Sequence, residues 1–163
     1  ISDRMEIEIG SYLNKVAEGR LSNQSKEKIR AILRGVTEIE SVADSCHNMA
    51  RHYKRKAEAS ATFTDELRAN IASMYALLEK AFDKMQYVLK HQEVTNADMA
   101  ESINYENRIN EMRNMLKRKN IEDVNEGVYD YQTGVFYSDL VQECERMGDY
   151  IINVIESVKH KKF

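Results

Sequence analysis

The fold turns on one stretch, Glu143-Cys144-Glu145-Arg146-Met147-Gly148-Asp149-Tyr150-Ile151-Ile152-Asn153, and on its echo 105 residues earlier, Glu38-Ile39-Glu40-Ser41-Val42-Ala43-Asp44-Ser45-Cys46-His47-Asn48. In each, an acid, an aspartate and an asparagine are spaced four apart: Glu40/Asp44/Asn48 and Glu145/Asp149/Asn153. At 3.6 residues per turn such a triplet stacks along one helix face. The apolar row repeats with it, Ile39, Ala43, Cys46 and Met49 matching Cys144, Gly148, Ile151 and Val154. Each acidic row then lies about 100° around the helix from its apolar row, at the edge of the buried face. The small Ala43 and Gly148 leave room for a partner helix to approach beside the acids.

Working outward, the composition is that of a helical chain. The 163 residues include no proline and six glycines, and 31% are charged. Nothing interrupts long i to i−4 ladders. A net charge of −3 argues against a nucleic-acid binder. No apolar run approaches the ~20 residues that span a bilayer. Cys46 and Cys144 both fall on apolar stripes and read as reduced core thiols. The chain opens on Ile1 in mid-pattern, as expected of a piece cut from a longer protein.

Apolar spacing predicts five long antiparallel helices and no strand. The first carries Met5, Ile9, Tyr12 or Leu13, and Val16. The second, capped by Ser22 or Asn23, runs to about Ala57 with Ile29, Ile32 or Leu33, Val36, Ile39, Ala43 and Cys46 inward. Thr62 and Asp65 have capping-box spacing before a third helix with Leu67, Ile71, Met74, Leu78, Phe82, Met85 and Leu89. Thr95 and Asp98 cap the fourth, with Met99, Ile103, Ile109, Met112 and Leu116, closing at Lys117-Arg118-Lys119. Residues 121–134 read as irregular. The last helix carries Phe136, Leu140, Cys144, Met147, Ile151, Val154 and Val158, and residues 159–162 read as a frayed end.

Carboxylates one turn apart repel unless compensated. A cation is one compensation, and carboxylate and amide oxygens suit magnesium, calcium, manganese or iron. The primary candidate ligands are therefore Glu40, Asp44, Glu145 and Asp149. Facing helices offer Asp3 and Glu6 in the first half and Glu106 and Asn110 in the second. The competing reading is a structural polar layer salt-bridged to Lys or Arg. Other i,i+4 acid pairs, such as Glu79/Asp83, read as solvated faces. His47 has Ile152 as its counterpart, which excludes a symmetric role. No Glu-x-x-His pair of a ferritin-like oxidase is present, and no nucleophile set accompanies the acids, so the chain reads as no enzyme.

Glu145-Arg146-Met147-Gly148-Asp149, followed by an apolar pair and Asn153, resembles the signature of PhoU-type phosphate-regulatory proteins; Glu40 to Asn48 carries it with Ser41 for the arginine and Ala43 for the glycine. The resemblance implies two pseudo-repeated three-helix bundles, residues 1–59 and 63–163, with the first helix of the first bundle lacking. It also implies metal ions, among them iron or zinc, on the acid-x-x-x-Asp motifs, although Asn110 stands where the family tends to have a carboxylate. The opening from Asp3 through Tyr12-Leu13 is similar to the cytoplasmic C-terminal region of bacterial sodium/phosphate cotransporter-like membrane proteins. That resemblance implies a non-enzymatic regulatory domain, cytoplasmic and tethered at the inner face of the membrane. Its partner would be the membrane transporter domain of the same polypeptide. A free-standing adaptor docking on a transporter or sensor kinase is the alternative, and a homodimer stays open.

Overall fold

The computed structural model describes residues 1–159. It is all α: α1 (Ser2–Ala17), α2 (Asn23–Glu58), α3 (Asp65–His91), α4 (Asn96–Asn125) and α5 (Tyr131–Lys159), with no strand among the described residues. The expected frayed end lies, beyond Lys159, outside the described residues.

Side-chain caps set the helix starts. Ser22 Oγ accepts from the Ser25 N–H at 3.1 Å. Thr95 and Asp98 form the full capping box: Thr95 Oγ1 accepts from the Asp98 N–H at 3.1 Å, and Asp98 Oδ2 accepts from the Thr95 N–H at 3.0 Å. At α3 the cap is Thr64, accepting from the Leu67 N–H at 3.2 Å, and not Thr62 as the spacing with Asp65 suggested. The fourth helix does not stop at Lys119. It runs on to Asn125, because Asn120 and Asp123 continue its inner row and turn inward. Gly127, at a φ of +74°, then supplies the left-handed turn that other residues adopt at a cost.

The centre of the molecule is α5, which packs against α2, α3 and α4. Its expected stripe is buried in full, from Phe136 through Leu140, Cys144, Met147, Ile151 and Val154 to Val158. Helix α3 supplies Leu67, Ile71, Met74, Leu78, Met85 and Val88, while Phe82 and Leu89 of its expected stripe are half-buried. In α4 the inner row is Met99, Ser102, Ile109, Leu116 and Asn120; Ile103 faces outward, one position off the expected stripe. Gly148 permits the close approach expected of it. A Cβ there would lie 3.1 Å from Ile109 Cδ1 and 3.4 Å from its Cγ2.

The first half departs further from the sequence reading. In α2 the buried residues are Ile29, Ala31, Gly35, Val42 and Ser45. Ile39 is 42% exposed and Cys46 is exposed, so Cys46 is no core thiol, whereas Cys144 is. Helix α1 has no fully buried residue, and among the described residues its only helix neighbour is α2. The reason is the same in both helices. Helix α2 is covered by α5 on one side and α1 on another; α3 reaches the row of Ile39 and Cys46 further along, where the Tyr53 and Tyr75 hydroxyls lie 3.1 Å apart, and leaves Ile39 and Cys46 themselves exposed.

Helices α2 and α5 run antiparallel along a polar seam. Arg34 Nη2 donates to Glu156 Oε2 at 3.2 Å, Asn153 Nδ2 donates to Glu38 Oε2 at 3.1 Å, and His52 Nδ1 lies 3.2 Å from Asp139 Oδ2. At Gly35 a Cβ would fall 2.6 Å from Ser157 Oγ, so the helices meet there at backbone distance.

Two outcomes follow from this packing. Gly148→Val should lower the unfolding free energy by about 1–3 kcal/mol through overpacking on Ile109, seen as a lower urea midpoint at unchanged m. The Thr95 hydroxyl and N–H, with the Lys84 ammonium, hold the Asp98 carboxyl down at about 2, below its usual 3.8. A depressed folded-state pKa gives stability that is present above pH ~4 and lost as pH falls toward ~2. Asp98→Asn should therefore flatten that acid limb of a stability-versus-pH curve.

Candidate metal centre

Both acid rows lie where the apolar faces of α2 and α5 give way to solvent, and each is faced by a helix that runs back along it: α1 along α2, and α4 along α5. The two sites are built differently.

In the first, oxygens of Asp3, Glu40 and Asp44 all lie within 4.8 Å of one another. Glu40 is half-buried, while Asp3 and Asp44 are exposed. Burial raises the Glu40 carboxyl above its ordinary range, and the Asp44 carboxylate raises it further. The other charged groups acting on it, Asp3 and Glu6, are also carboxylates and push the same way. The Asp3 carboxyl is lowered, first by a backbone N–H and then by the Ser2 hydroxyl, which donates to Oδ1 at 3.2 Å. Glu6 stands one turn along α1 with Oε1 engaged by the Thr37 hydroxyl at 2.7 Å. The set is thus three hard oxygen donors from two helices, with only acids among the charged groups that shift its half-buried member. This donor set fits a magnesium, calcium, manganese or iron ion, with water completing the shell.

In the second, a side-chain cation occupies the corresponding place. Arg113 Nη2 donates to Glu145 Oε1 at 2.5 Å, and Gln142 Nε2 donates to Glu145 Oε2 at the same distance. Both charged partners are largely buried. Asn110 Nδ2 donates to Glu106 Oε1 at 2.5 Å, so the amide that stands for a carboxylate is turned toward its neighbour as a donor. Burial raises the Asp149 carboxyl, with further upward pressure from Glu145 and Glu106 and a downward pull from Arg113. Arg113 thus bonds Glu145, Asn110 bonds Glu106, and Asp149 lies close enough to Glu145, Glu106 and Arg113 for each to shift its carboxyl.

Sequence reasoning missed Arg113, Gln142 and Thr37. Arg113 had a signal: it follows Glu106 and Asn110 at the i+7 and i+3 positions of the same row. Glu143, the partner of Glu38 in the repeat, is 4% exposed; Arg146 Nη1 donates to its Oε1 at 2.8 Å, and its Oε2 has no partner. His47 is exposed, in keeping with its lack of a counterpart.

No helix among the described residues is long and apolar enough to cross a membrane. Comparison with curated proteins gives no match. The PhoU domain family profile matches residues 71–158, which is 88 of the 163 residues and takes in most of α3, all of α4 and nearly all of α5 with its Glu145-to-Asn153 signature. The chain belongs to the PhoU domain family.

Proposed function

We propose that this chain is a non-enzymatic regulatory domain of phosphate homeostasis that binds a divalent or trivalent cation at Asp3, Glu40 and Asp44. Family membership supports the regulatory role in phosphate homeostasis. The observation that supports the cation site is the convergence of three carboxylates from α1 and α2 within 4.8 Å, where the second site has Arg113 instead. Three carboxylates at that spacing repel one another, and a cation removes the repulsion while supplying a bridge between the helices. The chemistry is recognition and coupling, not turnover. A bound cation favours the arrangement in which α1 is seated on α2, and an attached or docked partner can read that preference.

The partner in this proposal is the membrane domain of a sodium/phosphate cotransporter-like protein carried on the same polypeptide, with this domain on the cytosolic side. The similarity of the Asp3-to-Leu13 opening to such proteins supports it. A free-standing adaptor on a transporter or sensor kinase is the second reading. Fractionation of cells producing the native protein separates the two: recovery in carbonate-washed membranes supports the tethered form, and recovery in the unsedimented fraction supports the adaptor.

Elemental analysis of protein purified without chelator and then dialysed against each metal tests the site. About one ion per chain is expected, lost in Asp44→Ala and retained in Asp149→Ala, because Arg113 already neutralises the second cluster. At a free metal concentration of about 100 times Kd, the midpoint of thermal unfolding should rise by roughly 5–10 °C. Equal metal content in wild type and Asp44→Ala would remove these residues from the site.

A further inference from the structure

The end of the molecule formed by the close of α4 and the start of α5 carries a groove that neither acid cluster uses. Its wider part has a volume of about 270 Å³ and is walled by Ile121 and Val124 of α4 and by Tyr131 and Val135 of α5. Ile121 is 54% exposed and Tyr131 75%, so both rise beside the cleft without entering the core. The buried Gly134 and Asn120 form its floor. A Cβ on Gly134 would fall 2.6 Å from Val124 Cγ2, so the two helices meet there at backbone distance. Asn120 Nδ2 donates to the Gly134 carbonyl at 3.1 Å, and Asn120 Oδ1 accepts from the Tyr129 hydroxyl at 3.0 Å. Both polar atoms of that side chain are thus bonded within the protein, and the walls above it offer a ligand apolar surface.

Asn120 and Ser138 also line a narrower continuation of the groove, which leads toward Arg113, Lys117 and Gln142. No carboxylate lines either part. The Arg113 guanidinium and the Gln142 amide are both engaged by Glu145. Lys117 differs from them: it is exposed and has no ion-pair partner among the described residues. It stands four residues before Ile121 and seven before Val124, so the three share one face of α4. We infer that this groove binds a small ligand with an apolar chain and one anionic head, the chemistry of a medium-chain carboxylate. The chain lies between Ile121 and Tyr131, and the head sits at the rim beside Lys117, about 6 Å along α4 from Ile121. The narrow part, of about 10 Å³, has room for one water and not for the head. Charge sets the sign of the head, because a cationic amphiphile would meet Lys117 with no acid in the groove to receive it. Volume sets the size of the chain. The cleft is at the small end of the ~300–1,000 Å³ range of ligand sites, which suits a single chain and not a nucleotide-sized cofactor.

Calorimetry and amide chemical-shift mapping of the full chain with decanoate, kept below its micelle concentration, test this. One site per chain is expected, with the shifts centred on residues 117–125 and 131–138. Decanol, which lacks the charge, and butyrate, which lacks the chain, should each bind about tenfold more weakly or less. Lys117→Glu should weaken decanoate by about tenfold and leave decanol unchanged. Tyr131→Ser, at an exposed wall position, should weaken both. Arg55→Glu, on α2 outside the groove, should change neither. Binding that does not saturate, shifts centred elsewhere, decanol binding as tightly as decanoate, or equal decanoate affinity in wild type and Lys117→Glu would each overturn the inference. None of these results bears on the cation site, whose three carboxylates belong to α1 and α2.

Discussion

The antiparallel contact of α2 with α5 is what makes one molecule of the two halves. Beyond it, α1 and α2 are joined to the bundle by residues 59–64 and by the Tyr53 and Tyr75 hydroxyls, 3.1 Å apart. The contact sets small and polar groups (Gly35 against Ser157, Arg34 to Glu156, Asn153 to Glu38, and His52 beside Asp139) around Val42, which joins the common core with Met49 packed against it. Bonds of that kind contribute about 0.5–1.5 kcal/mol each. On its other faces α5 buries Leu140, Met147, Ile151, Val154 and Val158, each contributing about 1.5–3 kcal/mol through lost apolar surface. Cohesion is therefore unequal. The α3–α5 bundle holds most of the core, and the α1–α2 hairpin is attached to it through a seam whose specificity comes from hydrogen bonds and close backbone approach.

That inequality frames the two acid clusters. Both present carboxylates one turn apart, and both need a positive charge nearby. In the well-packed half, the charge is Arg113, held between α4 and α5 where its guanidinium is largely buried and its carboxylate partner more so. Removing one member of such a buried pair strands the other, so the cluster is locked into the fold. In the loosely packed half, Asp3, Glu40 and Asp44 face each other across α1 and α2, and every charged neighbour that acts on Glu40 is acidic. The second cluster carries its cation in the covalent chain, whereas the charged groups that shift Glu40 in the first are all carboxylates.

Much of this was legible in the sequence, and the parts that were not share a cause. Five helices, the Ser22 and Thr95 caps and the α3 and α5 core rows follow from local spacing, because each is settled within one or two turns of chain. The convergence of Asp3 on Glu40 and Asp44 was legible too, once the repeat showed which face of α1 must meet α2. Arg113 was missed because the reading looked for more oxygen ligands along the Glu106 row, not for the charge that would make ligands unnecessary. The stripes on α1 and α2 were read as core from spacing that is sound in itself. Spacing reports which residues want cover; whether a neighbour supplies it is a tertiary fact, and for Met5, Tyr12, Ile39 and Cys46 the described chain does not.

Helix α1 is where these threads meet. Among the described residues its single helix neighbour is α2, it has no fully buried residue, and its start carries Asp3, the one carboxylate of the cluster that is not on α2. The helix of fewest contacts has the smallest free energy to lose on detaching, so it is the element most responsive to a ligand. In the proposed function, a cation joining Asp3 to Glu40 and Asp44 seats α1 on α2. A cation that binds only the seated arrangement would stabilise it by its own binding free energy, so the site and the helix would order together. That linkage needs no path through the α3–α5 core, because the three carboxylates belong to α1 and α2 alone.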